Sequence, residues 1–141
     1  MCGIAGFTDK NLGEPLLRRM VDKLEHRGPD SEGYYVAEGI HLGMRRLSII
    51  DIEGGEQPSF NEDKSIVVVF NGEIYNHLEL RKELEAAGHQ FRSGHSDTEV
   101  IVHLYEQYGL KFVDRMNGMF AIALWDREER QLWLIRDRLG I

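Results

Sequence analysis

IVVVFNGEIYN, from Ile66 to Asn76, is the stretch on which the fold turns. Its first five residues are a continuous β-branched and aromatic run, too short for a helix, which predicts a strand buried on both faces. A helix is expected almost at once, because Asn76 followed by Glu79 matches the capping pattern in which side chains satisfy the free amides of a first turn. Asn71-Gly72, between the two, has two readings. After a strand, Asn-Gly is the strongest signal for a hairpin turn. The next apolar segment is helical rather than a return strand, so the pair suits equally well a rigid couple of hydrogen-bond donors, an Asn amide beside a backbone N–H.

Working toward the C-terminus, Ser96 with Glu99 repeats the capping pattern. Gly88 and Gly109 stand where glycines close the two resulting helices. Met119 to Trp125 and Gln131 to Ile135 read as a hairpin across the charged turn Asp126 to Arg130. Toward the N-terminus lies a loop, Glu53 to Lys64, rich in glycine and charge. Before it, Leu47 to Ile50 is apolar, and Gly33 to Ala37 and Ile40 to Leu47 read as strands around a Glu38-Gly39 turn. Pro15 opens a helix carrying Leu16, Leu17, Met20, Val21 and Leu24 at helical spacing, which ends before Gly28-Pro29. Ile4 to Phe7 is a short apolar segment. The order strand, helix, strands, two helices, strands lacks regular β-α alternation and favours an α+β fold. The sequence stops at RDRLGI, 136 to 141, directly after an expected strand, which reads as a domain cut short at its C-terminus.

The 141 residues fit one domain, and 42% hydrophobic content is enough for an ordinary core. Seventeen basic against twenty-four acidic residues give a net charge of −7, with no clustered Lys/Arg stripe, so nucleic acid is not an expected partner. No apolar run approaches the ~18 residues of a membrane span. The start MCGIAGF lacks a basic n-region, so a cytoplasmic, membrane-free protein is expected. The six histidines, at 26, 41, 77, 89, 95 and 103, fit neither HExxH nor a Cys/His zinc spacing, so no metal is assigned. Walker A and Rossmann glycine patterns are absent too, and no cofactor is expected in this segment.

Cys2 is the single cysteine, which excludes an internal disulfide and points to a reducing compartment. Lipidation does not explain it, since myristoylation needs Gly directly after Met and a lipoprotein cysteine needs a preceding signal segment. Position 2 has its own chemistry. Aminopeptidase removal of Met1 would leave a thiol and a free α-amine on one residue, and an amine of pKa roughly 8 is a base within reach of the thiol proton. A small second residue with no role is the plain alternative.

MCGIAGF, HRGPD at 26–30, RRLSIID at 45–51, FNGEIYN at 70–76 and GHSDTEV at 94–100 occur in the order and approximate spacing of class II glutamine amidotransferases. The chain resembles that N-terminal-nucleophile family, and within it the N-terminal domain of glutamine-hydrolysing asparagine synthetase. The resemblance implies a four-layer αββα sandwich with two mainly antiparallel sheets, and an incomplete glutaminase domain over 1–141 whose synthetase domain is absent. It also implies Cys2 as nucleophile, with Asn71 and Gly72 as the oxyanion hole. Arg46 would bind the glutamine α-carboxylate, and Glu73 and Asp97 would face its α-ammonium.

Physical reading leaves room beside these roles. Arg46 offers a planar bidentate fork for a carboxylate, and strand alternation sends Arg45 to the opposite face, so only one of them reaches a ligand. Asp97 also suits a helix's first turn, where the dipole favours acid. Arg27 and Asp30 flank Gly28-Pro29 either as a rim of the site or as a plain turn.

The function implied is hydrolysis of glutamine to glutamate and ammonia. In a longer enzyme the ammonia would be delivered to aspartate, with ATP and Mg2+ bound by the synthetase domain. Related amidotransferases serve other acceptors, including sugar phosphates and purine precursors, and a non-catalytic glutamine-binding module is the rival from outside the enzymes. A homodimer is among the assemblies left open.

Overall fold

The computed structural model describes residues 2–48 and 55–140. The chain runs β1 (Gly3–Phe7), α1 (Glu14–Asp22), β2 (Ser31–Ala37), β3 (Ile40–Arg46), β4 (Ser59–Phe60), β5 (Ile66–Ile74), α2 (His77–Ala86), α3 (Asp97–Tyr108), a 3-10 segment (Gly109–Arg115), β6 (Gly118–Asp126) and β7 (Gln131–Arg136). Two antiparallel sheets result, one in the order β1-β3-β2 and the other β4-β5-β6-β7. Helix α1 packs on β1 and β3, while α3 packs on β5 and carries α2 beside it. The layers are therefore helix, sheet, sheet, helices, as the resemblance implies.

Alternation along the strands explains the layering. Ile40, Leu42 and Met44 of β3 meet Val67 and Val69 of β5 and Ala123 and Trp125 of β6 between the sheets. Val68, Phe70, Ile122 and Leu124, on the other faces of the same strands, pack against Val100, Ile101 and Leu104 of α3. Strand β5 is thus apolar on both sides, and Ile66 to Phe70 are all buried. Full burial of each such side chain stabilises by about 1.5–3 kcal/mol.

Several expectations shift. Strand β5 does not end at Phe70 but runs on to Ile74, pairing Asn71 with Ala121 and Gly72 with Phe120. Asn71-Gly72 is therefore strand interior, and the hairpin-turn reading is excluded. Asn76 does not cap α2 with its side chain. Its amide is instead spent on Asn117 N–H and the Arg115 carbonyl, tying the end of β5 to the start of β6. Ser96 does cap α3, accepting from Thr98 N–H. Its expected partner Glu99 turns away from the cap and accepts from the N–H groups of Arg92 and Ser93 and from the Ser93 hydroxyl.

The loop expected over 53–64 contains the two-residue strand β4. The apolar stretch 47–50 and the first residues of that loop, up to 54, lie partly outside the described residues, as do Met1 and Ile141. Among the described residues no helix is long and apolar enough to cross a membrane.

Candidate functional site

A cleft at one end of the sandwich is lined by Cys2, Arg46, Gly72, Glu73 and Asp97, together with Gln57, Ser96, Thr98, Met119 and neighbouring backbone. Register brings the first two together. In the β1–β3 pair Gly3 opposes Arg45, so continuing one residue outward sets Cys2 opposite Arg46. Cys2 and Ile4 pack into the layer between the sheets, as do Leu42 and Met44, so even-numbered positions of both strands face that way. Arg45 points to the other side, where it pairs with Asp22 and Glu32. Only one arginine of the pair reaches the cleft, and it is Arg46.

The HRGPD segment braces this corner. Arg27 Nε donates to the Cys2 carbonyl at 3.0 Å. Asp30 N–H donates to the Arg46 carbonyl at 3.1 Å, and Asp30 Oδ2 accepts from Ser48 N–H at 2.7 Å. Gly28 lies so close to β3 that an added Cβ would stand 2.4 Å from the Arg45 carbonyl carbon. The loop therefore positions the ends of β1 and β3. The half-buried Cys2 thiol is held between backbone groups of one residue: Leu47 N–H points at Sγ from 3.4 Å, and Sγ lies 3.8 Å from the Leu47 carbonyl.

The opposite wall is the free edge of β5. Strand β4 covers β5 only at Val67 and Val68. Beyond it, the N–H groups that point to that edge belong to alternate residues. Phe70 N–H is taken by Gln57 Oε1 at 2.7 Å, and Ile74 N–H by Asp97 Oδ2 at 3.1 Å. Gly72 N–H falls between them and faces the cleft. Gly72 must be glycine, because a Cβ there would sit 2.1 Å from the Met119 carbonyl oxygen.

Asn71 is not among the lining residues. Its side chain lies on the β5 face shared with Val67 and Val69, the face against which Cys2 packs, and its Oδ1 is buried without a hydrogen-bond partner. An unsatisfied buried acceptor is costly and is a recognised mark of functional sites.

Asp97 is 7% exposed at the N-terminus of α3. Burial pushes its carboxyl above the ordinary aspartate value and the Glu73 charge adds to this, while the Ile74 N–H and His77 oppose it. Gln57, which the sequence reading missed, links the β5 edge to α3: its Oε1 holds Phe70 N–H and its Nε2 reaches Thr98 Oγ1 at 3.4 Å. No local pattern marks Gln57, since its role depends on β4 stopping short.

The arrangement offers a thiol, a strand-edge N–H aimed into the cleft, a cation and two carboxylates. A family model described as a glutamine amidotransferase domain matches residues 1–141. The chain belongs to this family. Among the relatives of this amidotransferase domain, asparagine synthetase [glutamine-hydrolyzing] 2 of Bacillus subtilis is 48% identical over 149 residues, covering 100% of this chain and 19% of the relative. Asparagine synthetase [glutamine-hydrolyzing] 2 of Arabidopsis thaliana is 50% identical over 145 residues, covering 100% and 25%. The chain thus spans about a fifth to a quarter of the length of these relatives.

A solved structure of the glutamine phosphoribosylpyrophosphate amidotransferase of B. subtilis, complexed with ADP and GMP, matches with a TM-score of 0.51 at 23% identity. The match covers 65% of this chain and 22% of that one, and is a likeness of fold.

Proposed function

We propose that this amidotransferase domain hydrolyses the side-chain amide of glutamine through Cys2, and that in a longer protein the ammonia is passed to activated aspartate to make asparagine. The observation that carries the reading is the placement of the Cys2 thiol and the Gly72 N–H on facing walls of one cleft that also holds Arg46, Glu73 and Asp97.

With Met1 removed, the α-amine of Cys2 takes the thiol proton and the thiolate attacks the amide carbon. The carbonyl oxygen becomes anionic and is met by Gly72 N–H, aimed into the cleft before charge develops, with the side-chain amide of the adjacent Asn71 as the second donor of this proposal. The tetrahedral intermediate collapses, the C–N bond breaks, and ammonia leaves with the proton returned by the α-amine. Water then attacks the γ-glutamyl thioester and releases glutamate. Arg46 grips the α-carboxylate of the substrate, and Asp97 with Glu73 faces its α-ammonium. Aspartate, ATP and Mg2+ belong to a synthetase domain in this proposal.

The test is release of glutamate and ammonia from glutamine, in equal amounts, by chain whose intact mass lacks Met1. A chain blocked from losing Met1 should be slower by about 10²–10⁴-fold, because its base is locked in a peptide bond. Glutamine binding without ammonia release from Met1-free protein would instead identify a binding module.

A pH dependence follows from Asp97. An ammonium partner requires the carboxylate, and the raised pKa means the carboxylate is lost at a higher pH than for an ordinary aspartate. The acid limb of kcat/KM for glutamine should therefore lie above the usual aspartate range and disappear in Asp97→Asn, alongside weaker binding. An acid limb unchanged in that variant would assign it to another group.

A further inference from the structure

Away from the cleft, four side chains from three segments each bring one ligand atom to a common point. They are Glu62 in the β4–β5 turn, His89 just after α2, and His103 and Glu106 on α3, and the four atoms lie within 4.8 Å of one another. No sequence motif has the spacing 62, 89, 103, 106, which is why the histidine pattern alone predicts no metal.

The second polar atom of each side chain is engaged or directed elsewhere. Glu62 Oε1 accepts from Gln90 N–H at 3.0 Å, and Glu106 Oε1 from Asn61 Nδ2 at 2.8 Å. His89 Nε2 meets Gln107 Oε1 at 3.1 Å, and His103 Nε2 faces Glu99 Oε1 at 3.8 Å, beyond hydrogen-bond length but electrostatically favourable. His103 Nε2 makes no hydrogen bond, whereas the acceptor opposite His89 Nε2 favours the tautomer that carries its proton there and turns the His89 Nδ1 lone pair inward. For His89 this is the outer arrangement that metal-bound histidines use.

Three of the inner distances are close to those around an ion, and the remaining ones reach at most 4.8 Å, so a bound ion would draw Glu62 and His89 together. His103 Nδ1 is 3.1 Å from Glu106 Oε2 and 3.5 Å from Glu62 Oε2, and His89 Nδ1 is 3.4 Å from Glu106 Oε2. Ligands about 2.0–2.1 Å from a tetrahedral ion stand about 3.3 Å apart.

We propose that Glu62, His89, His103 and Glu106 form a structural site for a tetrahedral divalent ion of the zinc class, separate from the glutamine chemistry. Two imidazoles and two carboxylates suit zinc rather than Mg2+ or Ca2+, which prefer oxygen shells of higher coordination, and the two negative charges neutralise the ion. His103 forms the closed floor of the site, with 1% of its side chain exposed, while Glu62, at 39%, leaves an entry from solvent. The ion displaces the proton that His103 otherwise shares with the carboxylates. Bound, it fastens the β4–β5 turn and the start of the α2–α3 connection to α3, whose first turn supplies Asp97 and Thr98 to the cleft.

Zinc titration of the full chain tests this, with Cys2→Ala as the parent so that the thiol does not compete. The expected result is one zinc per chain, with a Tm that rises with zinc concentration. His89→Gln and Glu62→Gln should each weaken binding by more than about tenfold and abolish the Tm rise, with circular dichroism unchanged. Gln107→Leu, which touches only the far side of an imidazole, should weaken it by about tenfold. Cobalt in place of zinc should give a tetrahedral visible spectrum. Absence of zinc uptake, uptake undiminished in both His89→Gln and Glu62→Gln, or an octahedral cobalt spectrum would overturn the proposal.

Discussion

Replacing Cys2 with alanine is expected to lower glutamate release from glutamine by at least about ten-thousand-fold, the scale on which losing a nucleophile acts, with the fold intact. Among the described residues that line the cleft, none can take the thiol's place. Ser96 Oγ accepts from Thr98 N–H, and Thr98 Oγ1 is approached by Gln57 Nε2. Neither hydroxyl has a histidine among the lining residues to take its proton. The structural cost is small, because Cys2 is only half-buried and alanine keeps its backbone, so a stability change within ~1 kcal/mol is expected. Steady-state glutamate release and a thermal melt, run on parent and variant, separate the two effects. Hydrolysis near the parental rate with the thiol gone would show that water attacks directly, and the covalent route would be lost.

Gly72→Ala is expected to damage stability and catalysis together. Its Cβ would enter the space of the β6 backbone, 2.1 Å from the Met119 carbonyl oxygen and 2.7 Å from Phe120 Cα. Neither is the movable end of a side chain, so the two central strands of the sheet must separate locally. Overpacking in a well-ordered core typically costs about 1–3 kcal/mol, and because the obstacle is the β6 backbone rather than a side chain the upper part of that range is expected. The same shift carries the Gly72 N–H off its line into the cleft, and losing one oxyanion donor lowers kcat by about 10²–10³-fold. Denaturant melts and kcat on the folded fraction test both parts. A variant with parental stability and parental kcat would remove Gly72 from the oxyanion site.

What the sequence disclosed is what alternation and burial encode. Arg45 and Arg46 had to part to opposite faces, and they do. Val67 to Phe70 had to be buried on both sides, and two layers of side chains cover them. Legibility fails where a side chain's task depends on distant chain. Asn76 carries a capping pattern, yet its amide serves the start of β6 because β5 runs four residues further than its apolar run. Asn71-Gly72 has the composition of a hairpin turn, and only the presence of β6 on one side explains why a glycine belongs inside a strand. Gln57 carries no signal at all, since its carboxamide matters only because Ser59 begins a strand two residues long. His89 and Glu62 are likewise ordinary polar residues until α3 lies beside them.

Strand β4 opposes Ser59 to Val68, and the same register carried back would oppose position 57 to Phe70 and position 55 to Gly72. The cleft exists because that zipper stops early. A change in residues 55–58 that let two or three more rungs close would consume the Gly72 N–H in ordinary sheet pairing. Such a chain would be more regular and would keep Cys2, Arg46, Glu73 and Asp97, and on the proposed mechanism it would be inert. The vacancy in the ladder is inherited as surely as the cysteine.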